Sequence, residues 1–303
     1  PSIMPATVVT AAVGRIRRYC EASGQTAAPI VFHGGEPCLV GAARLEAWCQ
    51  GLRDGLRGVA TPRFSIQTNG TLVDEEWIGV FRDEDIQVGV SIDGPAAIHD
   101  EFRVDHDGNG SHRIVQEGIR RLLAGGLSPQ ILSVIPLCGD GLQTYEYFRT
   151  LGVRRINFLL PDYTHDTKGS AVPRLGATPV ADFLMPIVEK WCPTDWEETD
   201  VPLLRQIAEL ILGGSSGTDQ FGNGPLGIVF IEADGKSVRD RSHNRIGPFI
   251  SEKHEVSIPD VHTGNLRIRF CRTPDMLPGF PSIGKRFRFG EIGIPVGFRT
   301  DGS

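Results

Sequence analysis

Five short apolar runs follow one another along the chain, with a segment of helical spacing between each run and the next. The runs are Ala28 to Phe32, Phe64 to Gln67, Ile86 to Ile92, Ile131 to Leu137 and Ile156 to Leu160. The helical segments between them are Gly41 to Leu56, Asp74 to Phe81, Ser111 to Leu123 and Leu142 to Leu151. Such alternation predicts a parallel sheet with right-handed crossovers, because a helix is needed to bring the chain back to the start of the next strand. An earlier helix, Ala6 to Cys20, has no strand of its own, which suggests a strand upstream of Pro1. Asp74 and Ser111 are the expected caps of their helices.

The polar turns fall just after the predicted strands: His33-Gly34-Gly35-Glu36-Pro37, Thr68-Asn69-Gly70, Asp93-Gly94-Pro95 and Pro161-Asp162. In open sheets and barrels of this class, the carboxyl ends of the strands form the ligand face. Two adjacent glycines let the backbone approach a ligand, and a carboxylate fixed beside them can accept hydrogen bonds from an ammonium group. Each turn also has a plainer reading. Gly34-Gly35 could be a tight strand–helix turn, Glu36 a helix cap, and Asn69-Gly70 and Asp93-Gly94-Pro95 ordinary turn pairs. Turns of that kind would be scattered, whereas these share one rim.

The 303 residues can bury a sizeable core, and 40% hydrophobic with 22% charged content is that of a globular protein. A net charge of −6 gives no electrostatic case for nucleic acid or an anionic membrane. No apolar run approaches the roughly 20 residues of a membrane span, and no signal peptide is expected. The cytoplasm is the expected location. The first residue is Pro1 rather than methionine, as expected of a fragment. The six cysteines (Cys20, Cys38, Cys49, Cys138, Cys192 and Cys271) contain no C-x-x-C-type pair, so they read as isolated buried thiols. His33, His99 and His165 stand on separate loops and read as structural. Neither a lysine-bearing phosphate loop nor a dinucleotide fingerprint occurs, which disfavours a phosphate-binding α/β enzyme.

Taken together, His33-Gly34-Gly35-Glu36-Pro37, Gln67-Thr68-Asn69-Gly70-Thr71-Leu72, Val90-Ser91-Ile92-Asp93-Gly94-Pro95 with His99-Asp100 and Arg103, and Asn157 to Asp162 resemble radical S-adenosylmethionine enzymes. The order of the motifs is similar to SPASM-type peptide maturases (FxsB-like) and anaerobic sulfatase maturases, over about Ala6 to Gly235. The resemblance implies an α/β fold: a partial (β/α)6 barrel lacking its first strand, over 1–175. A helical connection and the start of a SPASM-like extension would cover 176–235, followed by an irregular, atypical tail of unknown fold over 236–303. It also implies S-adenosyl-L-methionine as cofactor, with Gly34, Gly35 and Glu36 receiving the methionine amino group. Thr68, Asn69, Ser91 and Asp93 would line the carboxylate and ribose side, Leu160 the adenine, and Arg113 the carboxylate. Asp240 falls near the family's catalytic aspartate. A [4Fe-4S] cluster is implied as well, but the C-x3-C-x2-C triad that holds it in the family is absent from these residues.

The expected function is modification of a peptide or protein side chain through a 5′-deoxyadenosyl radical, by crosslinking or by formylglycine-type oxidation. A flavodoxin or ferredoxin would supply the electron. The alternative is a barrel remnant that binds the cofactor or a peptide without chemistry.

Overall fold

In a computed structural model, residues 3–136, 139–161, 178–214, 228–231, 233, 236–238, 245–248 and 267–270 are described. The chain begins with helix α1 (Ala6–Ser23), whose Val8, Val9, Ala12, Ile16 and Cys20 are buried. Strand β1 (Ala27–Phe32) follows, then a short 3-10 turn (Pro37–Val40) and α2 (Ala42–Leu56). Next come β2 (Thr61–Thr68), α3 (Glu75–Asp83) and β3 (Gln87–Ser91). After β3 the chain forms α4 (Ala96–Phe102), α5 (His112–Ala124), β4 (Gln130–Val134), α6 (Gly141–Thr150) and β5 (Ile156–Leu159). Helices α7 (Pro179–Lys190) and α8 (Pro202–Ile211) follow β5, joined through a π-helical turn, Trp191–Asp195.

Strands β1 to β5 lie side by side in chain order, all parallel, as the alternation predicts. Beyond β1 the sheet continues through β9 (Arg267–Phe270), parallel to β1, and then β6 (Ile228–Ile231), β7 (Lys236–Val238) and β8 (Arg245–Pro248). The segments beyond Gly235 that are described therefore add strands to this same sheet.

Register divides the sheet into two chemically different faces. Ile30 pairs with Phe64, Phe32 with Ile66, Ile66 with Val88, Val90 with Ile131, and Ile131 with Ile156. Paired residues on parallel neighbours share a face, so these side chains form one continuous apolar layer. All of them belong to the main core, together with Leu45, Leu52, Phe81, Ile119, Leu122 and Phe148 from the helices. The opposite face pairs Val31 with Ser65, Gln67 with Gly89, Gly89 with Gln130, Ser91 with Leu132 and Leu132 with Asn157. That face is rich in hydroxyl and amide groups, and Ser65, Gln67 and Gln130 on it are nonetheless buried.

Two local expectations need correction. His99, expected on a loop, lies inside α4, and beyond it Val104 and Gly110 make an antiparallel bridge. Ser111 does not cap α5. Its hydroxyl donates to the Arg103 carbonyl (2.9 Å), and the His112 amide donates instead to Asp100 Oδ1 (2.8 Å). Proximity in space, not position in sequence, chose the cap. Asp74 does cap α3, accepting from the Trp77 amide at 3.0 Å.

Candidate functional site at the carboxyl ends of the strands

The turn after β1 is tied to the turn after β2 by a single carboxylate. Glu36 Oε1 accepts from the Cys38 amide (3.0 Å) and the Thr68 hydroxyl (2.7 Å), and Oε2 accepts from the Asn69 amide (2.7 Å). Glu36 therefore caps the 3-10 turn, as its plainer reading holds, and also locks two strand ends together. Three of the roughly four acceptor positions of a carboxylate are used, which leaves room for one more donor. Thr68 Oγ1 further accepts from the Gly70 amide (3.0 Å), with the buried Cys38 thiol 3.6 Å away. Asn69 Oδ1 accepts from the amide (3.0 Å) and hydroxyl (2.8 Å) of Thr71.

Gly34 has φ 153°, a backbone conformation that side-chain-bearing residues avoid, and its amide donates to His33 Nδ1 at 2.7 Å. Gly35 is exposed, and a Cβ built on it would meet nothing within 4 Å. The second glycine is thus not required by close packing of the turn. A side chain at Gly35 would stand in open space beside Glu36.

The turn after β3 has its own lock. Asp93 is buried, its carboxylate ion-paired with Arg103 through Nε and through a second nitrogen at 3.2 Å, and Oδ1 accepts the Val134 amide at 2.9 Å. Asp93 thereby fixes the ends of β3 and β4 relative to each other. Ser91, two residues earlier, sits on the polar face, where its hydroxyl accepts from Gln67 Nε2 at 2.9 Å. Gln67 Oε1 is buried and has no partner among the described residues. A buried carbonyl left unpaired is costly, so this face is built to meet a donor. Leu160, just past β5, is half-buried against the core.

Gly34, Gly35, Glu36, Thr68, Asn69, Ser91 and Asp93 all stand at the ends of three adjacent strands, as their spacing predicts. Arg113 is exposed on α5 and lines a cavity of about 670 Å³ with Thr71 of the turn after β2, Ile114, Glu117 and Arg120. The basic residue that the structure brings to the rim is Arg103, held by Asp93. Gln130, which shares the polar face with Asn157, belongs to none of the sequence motifs. Parallel strands buried on both sides read as continuous apolar runs, and isolated polar residues in them give little signal. Asp240 and Asp162 lie outside the described residues.

The four described cysteines are isolated thiols, and Cys138 and Cys271 lie outside the described residues. Cys20, Cys38 and Cys49 are buried and Cys192 is half-buried, all four free. Burial pushes the Cys49 thiol up to about 12 and the Cys38 thiol higher still, so neither is a thiolate donor at neutral pH. Among the described residues, no three His, Cys, Asp or Glu side chains gather to hold a metal. His99 is fully buried and hydrogen-bonded to its surroundings, in keeping with a structural histidine.

No family model matches the chain. It is 28% identical over 163 residues to a cysteine-type anaerobic sulfatase-maturating enzyme of Clostridium novyi, a match covering 53% of this chain and 44% of that protein. It is 33% identical over 140 residues to a serine-type anaerobic sulfatase-maturating enzyme of Bacteroides thetaiotaomicron, covering 45% and 34%. The matches thus span less than half the length of these relatives. Among solved structures, native anSMEcpe with bound AdoMet superimposes with a TM-score of 0.69 at 26% identity, over 78% of this chain and 65% of that one. The same protein with bound AdoMet and a peptide gives 0.71 at 25% identity, over 82% and 70%. Strand order, rim motifs and these relatives agree: the chain is similar to radical S-adenosylmethionine enzymes of the sulfatase-maturase type.

Proposed function

We propose that this chain forms the S-adenosylmethionine-binding part of a maturase that modifies a side chain of a peptide or protein. The observation that carries it is the Glu36 lock beside the open Gly34-Gly35 step, three adjacent strand ends sharing one polar rim. The residues fit the cofactor. Glu36 retains an acceptor position for the methionine ammonium, and Gly35 leaves space for it. Ser91, Gln67 and Arg103 present hydroxyl, carbonyl and guanidinium groups along the same rim. When bound and reduced by one electron, S-adenosylmethionine supplies hydrogen-atom abstraction. This chain's residues bind and orient it. The residues present do not fit the [4Fe-4S] cluster, since no three cysteines are close in sequence or in the described structure, and no step is derived through it.

The substrate is a peptide, by the names of the relatives and of the peptide-bound neighbour, and the polar face of the sheet is the surface it would meet. Sulfatase maturation is what the relatives' names give, and the modification inferred for this chain is formylglycine-type oxidation rather than crosslinking. A small protein such as a flavodoxin or ferredoxin would be the reductant. No described helix is long and apolar enough to cross a membrane. Calorimetric titration with S-adenosylmethionine tests the reading. Saturable 1:1 binding, lost when S-adenosylhomocysteine occupies the site, is expected; no heat of binding at millimolar cofactor would refute it.

A further inference from the structure

Behind the rim, out of reach of solvent, lies an imidazole that the cofactor reading leaves without a role. His99 projects from α4 and is 0% exposed. Its Nδ1 accepts the backbone amide of Asp93 at 3.2 Å, and its Nε2 lies 2.9 Å from Ser111 Oγ. A backbone amide can only donate, so Nδ1 carries no proton, and the neutral ring keeps its proton on Nε2. The Ser111 hydroxyl must then accept from the ring, and its own proton goes to the Arg103 carbonyl at 2.9 Å. The Arg103 amide returns to the His99 carbonyl at 2.9 Å, closing a ring of hydrogen bonds.

Every direction in this ring is fixed by donor and acceptor chemistry. One end grips the turn that carries Asp93, two residues beyond Ser91. The other grips the backbone of Arg103, whose guanidinium pairs with the Asp93 carboxylate. Burial, and after it the nearby Arg103 charge, lowers the His99 pKa to about 4, so the ring stays uncharged beside that pair. The His112 ring packs edge-on at 5.7 Å and donates no bond to His99. A buried imidazole stabilises the core less than an apolar side chain of its size would. What it adds is direction at two atoms, both leading to the rim.

We propose that His99 is a positioning residue: as a neutral imidazole protonated at Nε2, it holds Ser91, Asp93 and Arg103 in the arrangement that receives S-adenosylmethionine. The proposal rests on the cofactor reading above.

The test compares cofactor affinity with thermal stability in the wild-type chain, His99→Ala and His99→Asn. The Asn amide can place an oxygen where Nδ1 stands. His99→Ala is expected to bind S-adenosylmethionine about tenfold more weakly or worse, the cost of one lost directional hydrogen bond. His99→Asn, which keeps the acceptor for the Asp93 amide, is expected to recover most of that affinity, although its melting temperature falls as far as that of the Ala variant. Affinities unchanged in both variants, or falling together in step with melting temperature, would overturn the proposal. Ring ¹⁵N spectra of the unmutated chain provide a second readout should His99→Ala fail to fold. The His99 signals should report the Nε2–H tautomer at pH 6 and shift on cofactor addition. An Nδ1–H tautomer, or no shift when the cofactor binds, would equally overturn it. A wild-type chain that binds no cofactor refutes the cofactor reading itself, before any variant is compared.

Discussion

Glu36 and Gly35 are neighbours with opposite kinds of importance. Glu36 is satisfied by three donors from two turns, so replacing one of its oxygens with an amide nitrogen sets donor against donor at Asn69 or Thr68. Glu36→Gln is expected to cost about 1–3 kcal/mol of stability as well as cofactor affinity. Gly35 has open space where its Cβ would stand. Gly35→Val should therefore leave stability within about 0.5 kcal/mol while weakening cofactor binding at least tenfold, because the added atoms fill ligand space. Denaturant midpoints and calorimetry on the two variants separate these signatures. Equal stability losses in both would mean that Gly35 is only a tight turn. In sequence, both residues were legible as a rim motif. The bonds that Glu36 makes to Thr68 and Asn69 were not, since they join residues more than 30 positions apart.

At the level of elements, α5 reports how closely the outer layer presses on the site. A Cβ on Gly118 would stand 2.3 Å from the carbonyl oxygen of Gly70, in the turn that presents Thr68 and Asn69. Helix and turn are in contact with no space between them, so glycine is needed there for packing, not for backbone freedom. Gly118→Ala must push the helix off the turn. A loss of about 1–3 kcal/mol is expected, with a fall of several degrees in melting temperature. The displaced turn should lower cofactor affinity as well. An unchanged melting temperature would show that α5 floats on the sheet. The helix itself was legible from its apolar spacing, with Val115, Ile119 and Leu122 buried as that pattern requires. Its N-terminal contact was not, because Asp100 reaches it from the preceding helix while Ser111 turns to Arg103.

For the molecule as a whole, the buried histidine sets an acid limit. Free histidine titrates near 6.5, whereas His99 in the fold does so at about 4. Between these values the unfolded chain binds a proton that the folded chain does not, so folding stability is full above about pH 6.5 and declines toward pH 4. The loss reaches at most about 3 kcal/mol. Burial shifts His112 in the same direction. Denaturant midpoints measured at pH 7.5, 6.0 and 4.5 should fall steadily, and His99→Asn should flatten that dependence. A midpoint independent of pH in this window would contradict a neutral buried ring. The order of five parallel strands, the helices between them and the polar rim were all determined by the sequence by itself, because apolar periodicity and turn residues act locally. Which face of the sheet is polar, that Arg103 pairs with Asp93 at the rim, and that His99 binds the Asp93 turn were decided only by tertiary structure. Register across strands and the burial of a donor beside its acceptor are set by packing between segments distant in the chain, and no local pattern encodes them.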